Sequence, residues 1–470
     1  MKRNIIFSCF IIIAILGASC QKYLDVKPKK ISIIETYDQY NQLFRPVLAA
    51  ISLEDMCYTT DDAYLLDDVS SFAPSVYNGL DAVARKKIYT FQKYFYEEGM
   101  YDDAFWAESY EKIYIYNVIL DGVMSATEGT EKQKKALRAD ALLARAFAYL
   151  NLVNVYAKHY DPATASKDYA VPLKLAITEA DAQPTRATVA QVYEKIAADL
   201  LEALPDLPES PENKNYTRGT KAACNAILAR MYMYMGDYKK ALDFVNKVLA
   251  TNPVLLDYND YKLTNTSIRF DIPKPYENPE NILLRSEIMS YAGRGGDEGG
   301  CLSEDLIKLY GKDDIRKDFY FADKVSSTTF PLPVWYPNYP MNNGITTAEV
   351  MLIAAECEAR IGSVQKAMDL VNKLRQHRVR KDAFVPMTAT DGKDALLKVV
   401  DERRREFALI GIHRLVDLKR LNKEGVLNVT VKHVAEGVTY ELKPNDKKYI
   451  FPIPKTVINF NPDMPQNDRD

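Results

Sequence analysis

The sequence predicts an all-α dominated protein: tetratricopeptide-like helix pairs form a scaffold, and one irregular, loop-rich insertion interrupts it. Three observations carry this reading. Residues 222–253 have helix-pair repeat spacing, and a second copy runs from about 350 to 378. Long amphipathic stretches precede the first copy. Between the copies, residues 256–344 hold 13 aromatic residues, 7 Pro and 7 Gly in 89 positions.

Taken in order, the chain opens on a short apolar run behind Lys2 and Arg3, and small residues Gly17, Ala18 and Ser19 precede Cys20. The run of about twelve residues is too short to span a bilayer as a helix, so residues 1–19 read as a signal peptide and Cys20 as a lipidation site. Residues 33–50 read as a helix. Residues 52–80 read as irregular, with Asp61-Asp62 and Asp67-Asp68 as a solvated acidic loop. From Asp103, the positions Trp106, Tyr110, Ile113, Asn117 and Leu120 share one helical face. Lys132 to Ala157 reads as a long amphipathic helix, paired with the Trp106 helix in a degenerate repeat. Val189 to Leu204 reads as another, opened by Thr188 as N-cap and assigned to the Arg218–Tyr234 helix or its neighbour.

In the first clear repeat, Leu228, Ala229, Tyr232, Gly236, Tyr238, Ala241, Val248 and Pro253 occupy the diagnostic offsets. Small residues at 229 and 241 let two antiparallel helices approach closely. Gly236-Asp237 makes the turn, and Pro253 stops the second helix. Ala354, Ala355, Gly362, Ala367, Val371 and Leu374 repeat the pattern. Gly236 and Gly362 lie 126 positions apart, so residues 256–344 are an insertion. The expected organisation is therefore a signal peptide (1–19), a lipidated N-terminus and N-terminal helical region (20–255), a loop-rich candidate ligand-binding insertion (256–344) and a C-terminal helical region with tail (345–470).

Composition excludes several classes. Lys+Arg is 61 and Asp+Glu 64, a net charge of -3, which argues against a grip on nucleic acid. No Gly-Lys-Ser/Thr follows a glycine run, and no Gly-x-Ser-x-Gly elbow or His-Glu-x-x-His occurs. With 4 His and no Cys-x-x-Cys, neither a metal site nor a cofactor is expected. Cys224 and Cys357 sit in helical apolar patterns and read as buried thiols. Glu402-Arg403-Arg404-Arg405-Glu406 reads as a charge-laced helix face.

Candidate ligand-binding residues are aromatics in the two irregular segments: Tyr64, Phe72 and Tyr77 in the first, and Tyr291, Trp335, Tyr336 and Tyr339 in the second. Trp335-Tyr336 leads, because Pro333 and Pro337 hold the backbone extended. Arg294 and Asp297, in the glycine-rich run 293–300, add hydrogen-bonding groups.

The leader Cys20-Gln21-Lys22-Tyr23-Leu24-Asp25 with Pro28 resembles the mature start of SusD/RagB-type lipoproteins of Bacteroidetes. Trp106-x3-Tyr110-x2-Ile113-x3-Asn117, and Leu137-Arg138-Ala139 with Arg145, Ala146 and Tyr149, resemble that family's first helix pair. Asp401 to Glu406, followed by Gly411, Arg414, Asp417-Leu418 and Arg420, resembles its C-terminal signature. Phe451-Pro452-Ile453-Pro454, Asn461-Pro462 and Gln466-Asn467 resemble its tail. The resemblance implies a non-catalytic lipoprotein on the outward face of the outer membrane. It implies a lid on a SusC-like TonB-dependent transporter, capturing an oligosaccharide, or in the alternative a peptide. A secreted hydrolase is the third reading.

Overall fold

The computed structural model describes residues 34–66, 80–96, 103–177, 184–262, 272–287, 300–325, 328–335 and 342–470. Its framework is helical. The N-terminal part contributes α1 (Tyr37–Gln42), α2 (Leu80–Tyr89), α3 (Ala104–Gly122), α4 (Glu131–Tyr156) and α5 (Val189–Ala203). The first repeat is α6 (Lys221–Tyr234) and α7 (Tyr238–Leu249), and the second is α10 (Thr347–Ile361) and α11 (Val364–Gln376). Between them lie α8 (Glu304–Leu309) and α9 (Arg316–Tyr320); after them come α12 (Gly392–Glu406), α13 (His413–Lys423) and α14 (Lys455–Phe460).

Local chemistry sets the helix starts. Thr130 and Thr188 each cap a helix with the hydroxyl and receive Gln133 or Gln191 in return, closing capping boxes at α4 and α5. Asp103 caps α3, and Asp237 caps α7. Gly236 turns the chain between α6 and α7 at φ +77°. Ala229 and Ala241 are fully buried where those helices pack. The expected helix over 33–50 is shorter: α1 is followed by a 3₁₀ turn at Pro46–Ala49. Pro46 supplies no N–H and disfavours α geometry in the residue before it.

Packing runs from element to element along the scaffold. α4 lies between α3 and α5, α7 packs on both α6 and α10, and α10 also packs on α11 and α12. The principal partner of α5 is α4, with a lesser contact to α6. Buried arginines tie the layers together. Arg145 of α4 donates to both carboxylate oxygens of Asp199 on α5 (2.8 and 2.9 Å) and to Asn117 Oδ1 on α3 (2.7 Å). Arg230 of α6 donates to Glu349 of α10 at 2.6 Å, and Arg420 of α13 to Glu356 of α10 at 2.7 Å. The tail closes on α4: Phe451 N–H donates to Val155 O (3.0 Å), and the Asn467 amide to Tyr156 O (2.8 Å).

The described parts of the 256–344 segment hold more regular structure than its composition predicted. Two short strand pairs form, β1 (Ala50–Ile51) with β4 (Ser286–Glu287) and β3 (Asn281–Leu283) with β8 (Ile345–Thr346), and a four-stranded sheet runs in the order β2-β5-β7-β6, from Ala63–Leu65, Gly300–Leu302, Thr328–Trp335 and Phe321–Val325. β2 comes from the 52–80 segment, so the two supposedly irregular stretches join in one sheet. A hairpin of β9 (Val431–Ala435) and β10 (Val438–Leu442) follows α13. Among the described residues, Cys57, Cys224, Cys301 and Cys357 are buried. No described helix is long and apolar enough to cross a membrane.

Candidate functional site

Where the 256–344 segment meets the C-terminal helices, the chain encloses a cavity of about 80 Å³. One side comes from the stretch 272–284, with Pro273, Pro275, Asn278 and Asn281. A second side carries the rings of Tyr258, Phe319 and Tyr320. The third is the end of α12, with Glu406, Phe407 and Ile410. Tyr276, next in chain to Pro275, does not line the cavity but is 52% exposed.

The ring wall is rigid. Tyr258 stacks on Phe319 with centroids 4.5 Å apart, and its hydroxyl is 2.8 Å from the Tyr320 hydroxyl. Asn342 fixes the amide wall: its Nδ2 donates to Asn281 Oδ1 and Leu283 O at 2.9 Å, and its Oδ1 accepts from Gly344 N–H at 2.7 Å.

Glu280 and Glu406, which line the cavity, belong to an ion-pair network. Arg378 donates to Glu280 (2.6 Å) and Glu406 (3.0 Å); Arg316 donates to Glu406 (2.9 Å) and Asp314 (2.9 and 2.7 Å), and lies 2.8 Å from Glu402. Burial pushes the Glu402 carboxyl up, but Arg316 and Arg405 outweigh it and hold it at about 2. At Glu280 burial wins against Arg378, and the carboxyl is raised. A second group clamps the N-terminal segment: Arg414 donates to Asp61 through two bonds of 2.7 Å, and Arg404 donates to Asp62 at 2.6 Å. Burial raises the Asp61 carboxyl, yet Arg414 and Arg404 bring it down to about 2.

Two sequence expectations are corrected here. The 402–406 run is laced at Glu402–Arg405 (2.7 Å), as its spacing predicts, but it is not a solvent-facing surface: Glu402, Arg403 and Glu406 are buried and reach across to other elements. Asp61 and Asp62 are not a solvated acidic loop but the anionic half of a clamp. The loop reading failed because its counter-charges lie about 340–350 positions away. No group of three or more His, Cys, Asp or Glu among the described residues is arranged to hold a metal ion.

Of the candidate ligand residues, Trp335 is corrected in place. It is 2% exposed, at the end of β7, with its ring 5.2 Å from Tyr320 and 5.9 Å from Phe321. The prolines did keep the backbone extended, but an extended strand inside the sheet, paired with both β5 and β6, turned the ring into the core. Tyr64 lies in β2, half-buried, opposite Cys301. Phe72, Tyr77, Tyr291, Arg294, Asp297, Tyr336 and Tyr339, together with Asp67-Asp68 and Cys20, lie outside the described residues. Tyr276 was missed, although Pro275 and Pro279 bracket it in the manner that nominated Trp335.

Comparisons with known proteins bear on this architecture. A SusD-like family model described as "Starch-binding associating with outer membrane" matches residues 22–233, and the SusD family model matches residues 342–469. The chain belongs to the SusD/RagB family. A SusD-like protein of Formosa agariphila is 21% identical over 99% of this chain and 97% of its own length. Among solved structures, a SusD superfamily protein of Bacteroides vulgatus superposes with a TM-score of 0.71 at 20% identity, covering 92% of this chain and 99% of that one. A SusD-like carbohydrate binding protein of the same species gives 0.68 at 19%, over 92% and 98%. These likenesses establish the SusD fold for the helical scaffold. The SusD-like match ends at Met233, within α6, and the SusD family match begins at Asn342. Most of the candidate cavity wall therefore lies between the two matched stretches.

Proposed function

We propose that this SusD/RagB-family chain is a non-catalytic glycan-binding lipoprotein, held on the outer face of the outer membrane by acyl chains on Cys20. In this reading it works as the lid of a SusC-like TonB-dependent transporter, and the ligand is an oligosaccharide. Family membership supports the nutrient-binding role, and the Bacteroides vulgatus relative at TM-score 0.68 is described as carbohydrate binding.

The observation that carries the reading for this chain is the cavity wall with the half-exposed Tyr276 ring next in chain to it. A pyranose presents an apolar C–H face and a rim of hydroxyls. The first suits an exposed ring and the second suits amides, and Asn278 and Tyr276 sit within three residues of one another. The larger ligand surface extends in this proposal over Tyr291, Arg294, Asp297, Tyr336 and Tyr339, the last two in the stretch leading directly to Asn342. Tyr64, Phe72 and Tyr77 remain proposed contributors from the first segment.

Calorimetric titration with neutral oligosaccharides, including maltooligosaccharides, and with a peptide pool tests this. Tyr276→Ala is expected to weaken glycan binding about tenfold, near the upper end of what one stacked ring supplies, with no change in melting temperature. Binding of peptides without glycans replaces the oligosaccharide with a peptide. Unchanged glycan affinity in Tyr276→Ala removes this wall from the site.

A further inference from the structure

The cavity between the stretch 272–284 and the end of α12 is small for a sugar site. Its volume of about 80 Å³ lies well below the roughly 300–1,000 Å³ of pockets that enclose a whole small ligand. A pyranose ring therefore stays outside, and what enters is a substituent carried on it. The lining residues that remain partly exposed are Ile272, Pro273, Pro275, Asn278, Asn342 and Thr346, which puts the opening on that side. Leu256, Leu284 and Ile410 are buried and supply aliphatic surface.

Charge narrows the choice of substituent. Among the described residues no Lys or Arg lines this cavity, whereas Glu280 and Glu406 do. A carboxylate, sulfate or phosphate would face those two carboxylates with no cation of its own. An ammonium fares no better. Both carboxylates already accept from Arg378 (2.6 and 3.0 Å), and Glu406 also accepts from Arg316 (2.9 Å). No counter-charge is left over to offset the desolvation of a second cation. The substituent is neutral.

Hydrogen bonding narrows it further. Asn278 is held in a tight turn: its Oδ1 accepts from Glu280 N–H (2.9 Å) and its carbonyl from Asn281 N–H (3.2 Å). The first bond identifies the side-chain oxygen and leaves Nδ2, which bonds to no described residue, as a positioned donor on the open side. The other two amides are tied to their surroundings: Asn342 Nδ2 donates to Asn281 Oδ1 (2.9 Å), and Asn281 Nδ2 to Pro275 O (2.6 Å). A neutral group with one acceptor oxygen for Asn278 and an apolar end for the aliphatic wall is an acetyl group.

We propose that this cavity takes the acetyl substituent of an acetylated sugar, its carbonyl oxygen accepting from Asn278 Nδ2 and its methyl lying among Leu256, Ile272 and Ile410. The inference rests on the glycan reading of this wall and narrows it to sugars acetylated on nitrogen or on oxygen.

The test is ligand-observed NMR titration of the full chain with the methyl glycosides of N-acetylglucosamine, 6-O-acetylglucose, glucose and glucosamine. At least one acetylated sugar is expected to bind about tenfold tighter than glucose, the scale of one buried methyl and one hydrogen bond. Saturation transfer is expected to be strongest on its acetyl methyl, and the better of the two acetylated sugars tells an amide from an ester. Asn278→Asp keeps the oxygen that accepts from Glu280 N–H and loses the Nδ2 donor. It is expected to weaken binding of the acetylated sugar about tenfold, to leave glucose binding as it was, and to leave the melting temperature unchanged. Glucose bound as tightly as both acetylated sugars overturns the acetyl assignment and leaves the glycan reading standing. Glucosamine bound tightest overturns it in favour of a cation site. Unchanged affinity for the acetylated sugar in Asn278→Asp overturns the placement. Binding of a peptide pool and of no sugar overturns both this inference and the glycan reading.

Discussion

Single residues in this chain are fixed by how closely their neighbours approach. Ala241 is fully buried on α7, which packs on α6. Ala241→Leu is expected to cost roughly 1–3 kcal/mol by overpacking and to lower the melting temperature. Lys240→Ala, next to it on the exposed face, is expected to leave it within a degree or so of wild type, as surface changes do. Equal shifts in the two variants contradict this packing. Gly411 shows the same principle in the C-terminal signature: it sits at φ +50°, and a Cβ there would meet Asn343 Oδ1 at 2.4 Å. The glycine in that motif therefore serves a positive φ and a close approach. Trp335 marks the boundary of residue-level inference. Flanking prolines specify an extended backbone, but which way the ring points is set by the sheet and by Tyr320 and Phe321 beyond it.

At the scale of elements, the arginine-rich end of α12 acts as a junction. Glu402 and Glu406 face Arg316 of α9, and Glu406 and Glu280 share Arg378 just past α11. A buried pair of this kind adds little net stability compared with well-packed apolar groups, but removing one partner strands a charge. Arg316→Met is expected to destabilise by about 3–5 kcal/mol, read as a lower urea midpoint. Replacing Arg316, Glu402 and Glu406 together by apolar residues of similar size is expected to recover much of that loss. A single variant as stable as wild type contradicts the junction. The helices themselves were legible in the sequence: α3, α4, α5 and both repeats start within a residue or three of expectation. Their caps (Asp103, Thr130, Thr188, Asp237) act on their own first turns. The sheet was not legible. β2 and β5 are three residues each and lie over 230 positions apart, so no local periodicity announces their pairing.

For the molecule as a whole, the paired carboxylates make acid the sensitive direction. Burial opposes ionisation at Glu402 and Asp417, but their arginines prevail and hold both at about 2, against 4.5 and 3.8 as ordinary values. A folded value below the unfolded one means this stability is complete above about pH 4.5 and is lost as pH falls towards 2. Each group contributes on the order of 2 kcal/mol. Glu280 and Asp62, raised by burial, act in the opposite sense. The buried imidazoles of His159 and His413, held down at about 3 by burial, also cost stability as pH falls below about 6.5, so the urea midpoint is expected to decline from about pH 6.5 and more steeply below 4; a flat profile down to pH 2.5 contradicts the network. The proposed anchoring is tested on the whole molecule. Under that proposal Cys20→Ala is expected to release the protein from outer membranes prepared without the transporter, since acyl chains would supply the tether. Retention of the variant in that fraction refutes lipidation.

The sequence by itself determined the helical scaffold, its repeat turns and the family, because caps, turn glycines and amphipathic spacing act within about one or two helical turns. Tertiary structure alone decided what the charged and aromatic residues do. Asp61 is a clamp because Arg414, 353 positions on, folds back to it. Trp335 is core because β6 lies beside β7, and Tyr276 is half open because the described residues cover only part of it. Charge pairing and ring burial depend on which distant surfaces meet. That information is spread over the whole chain, with no local spacing to reveal it.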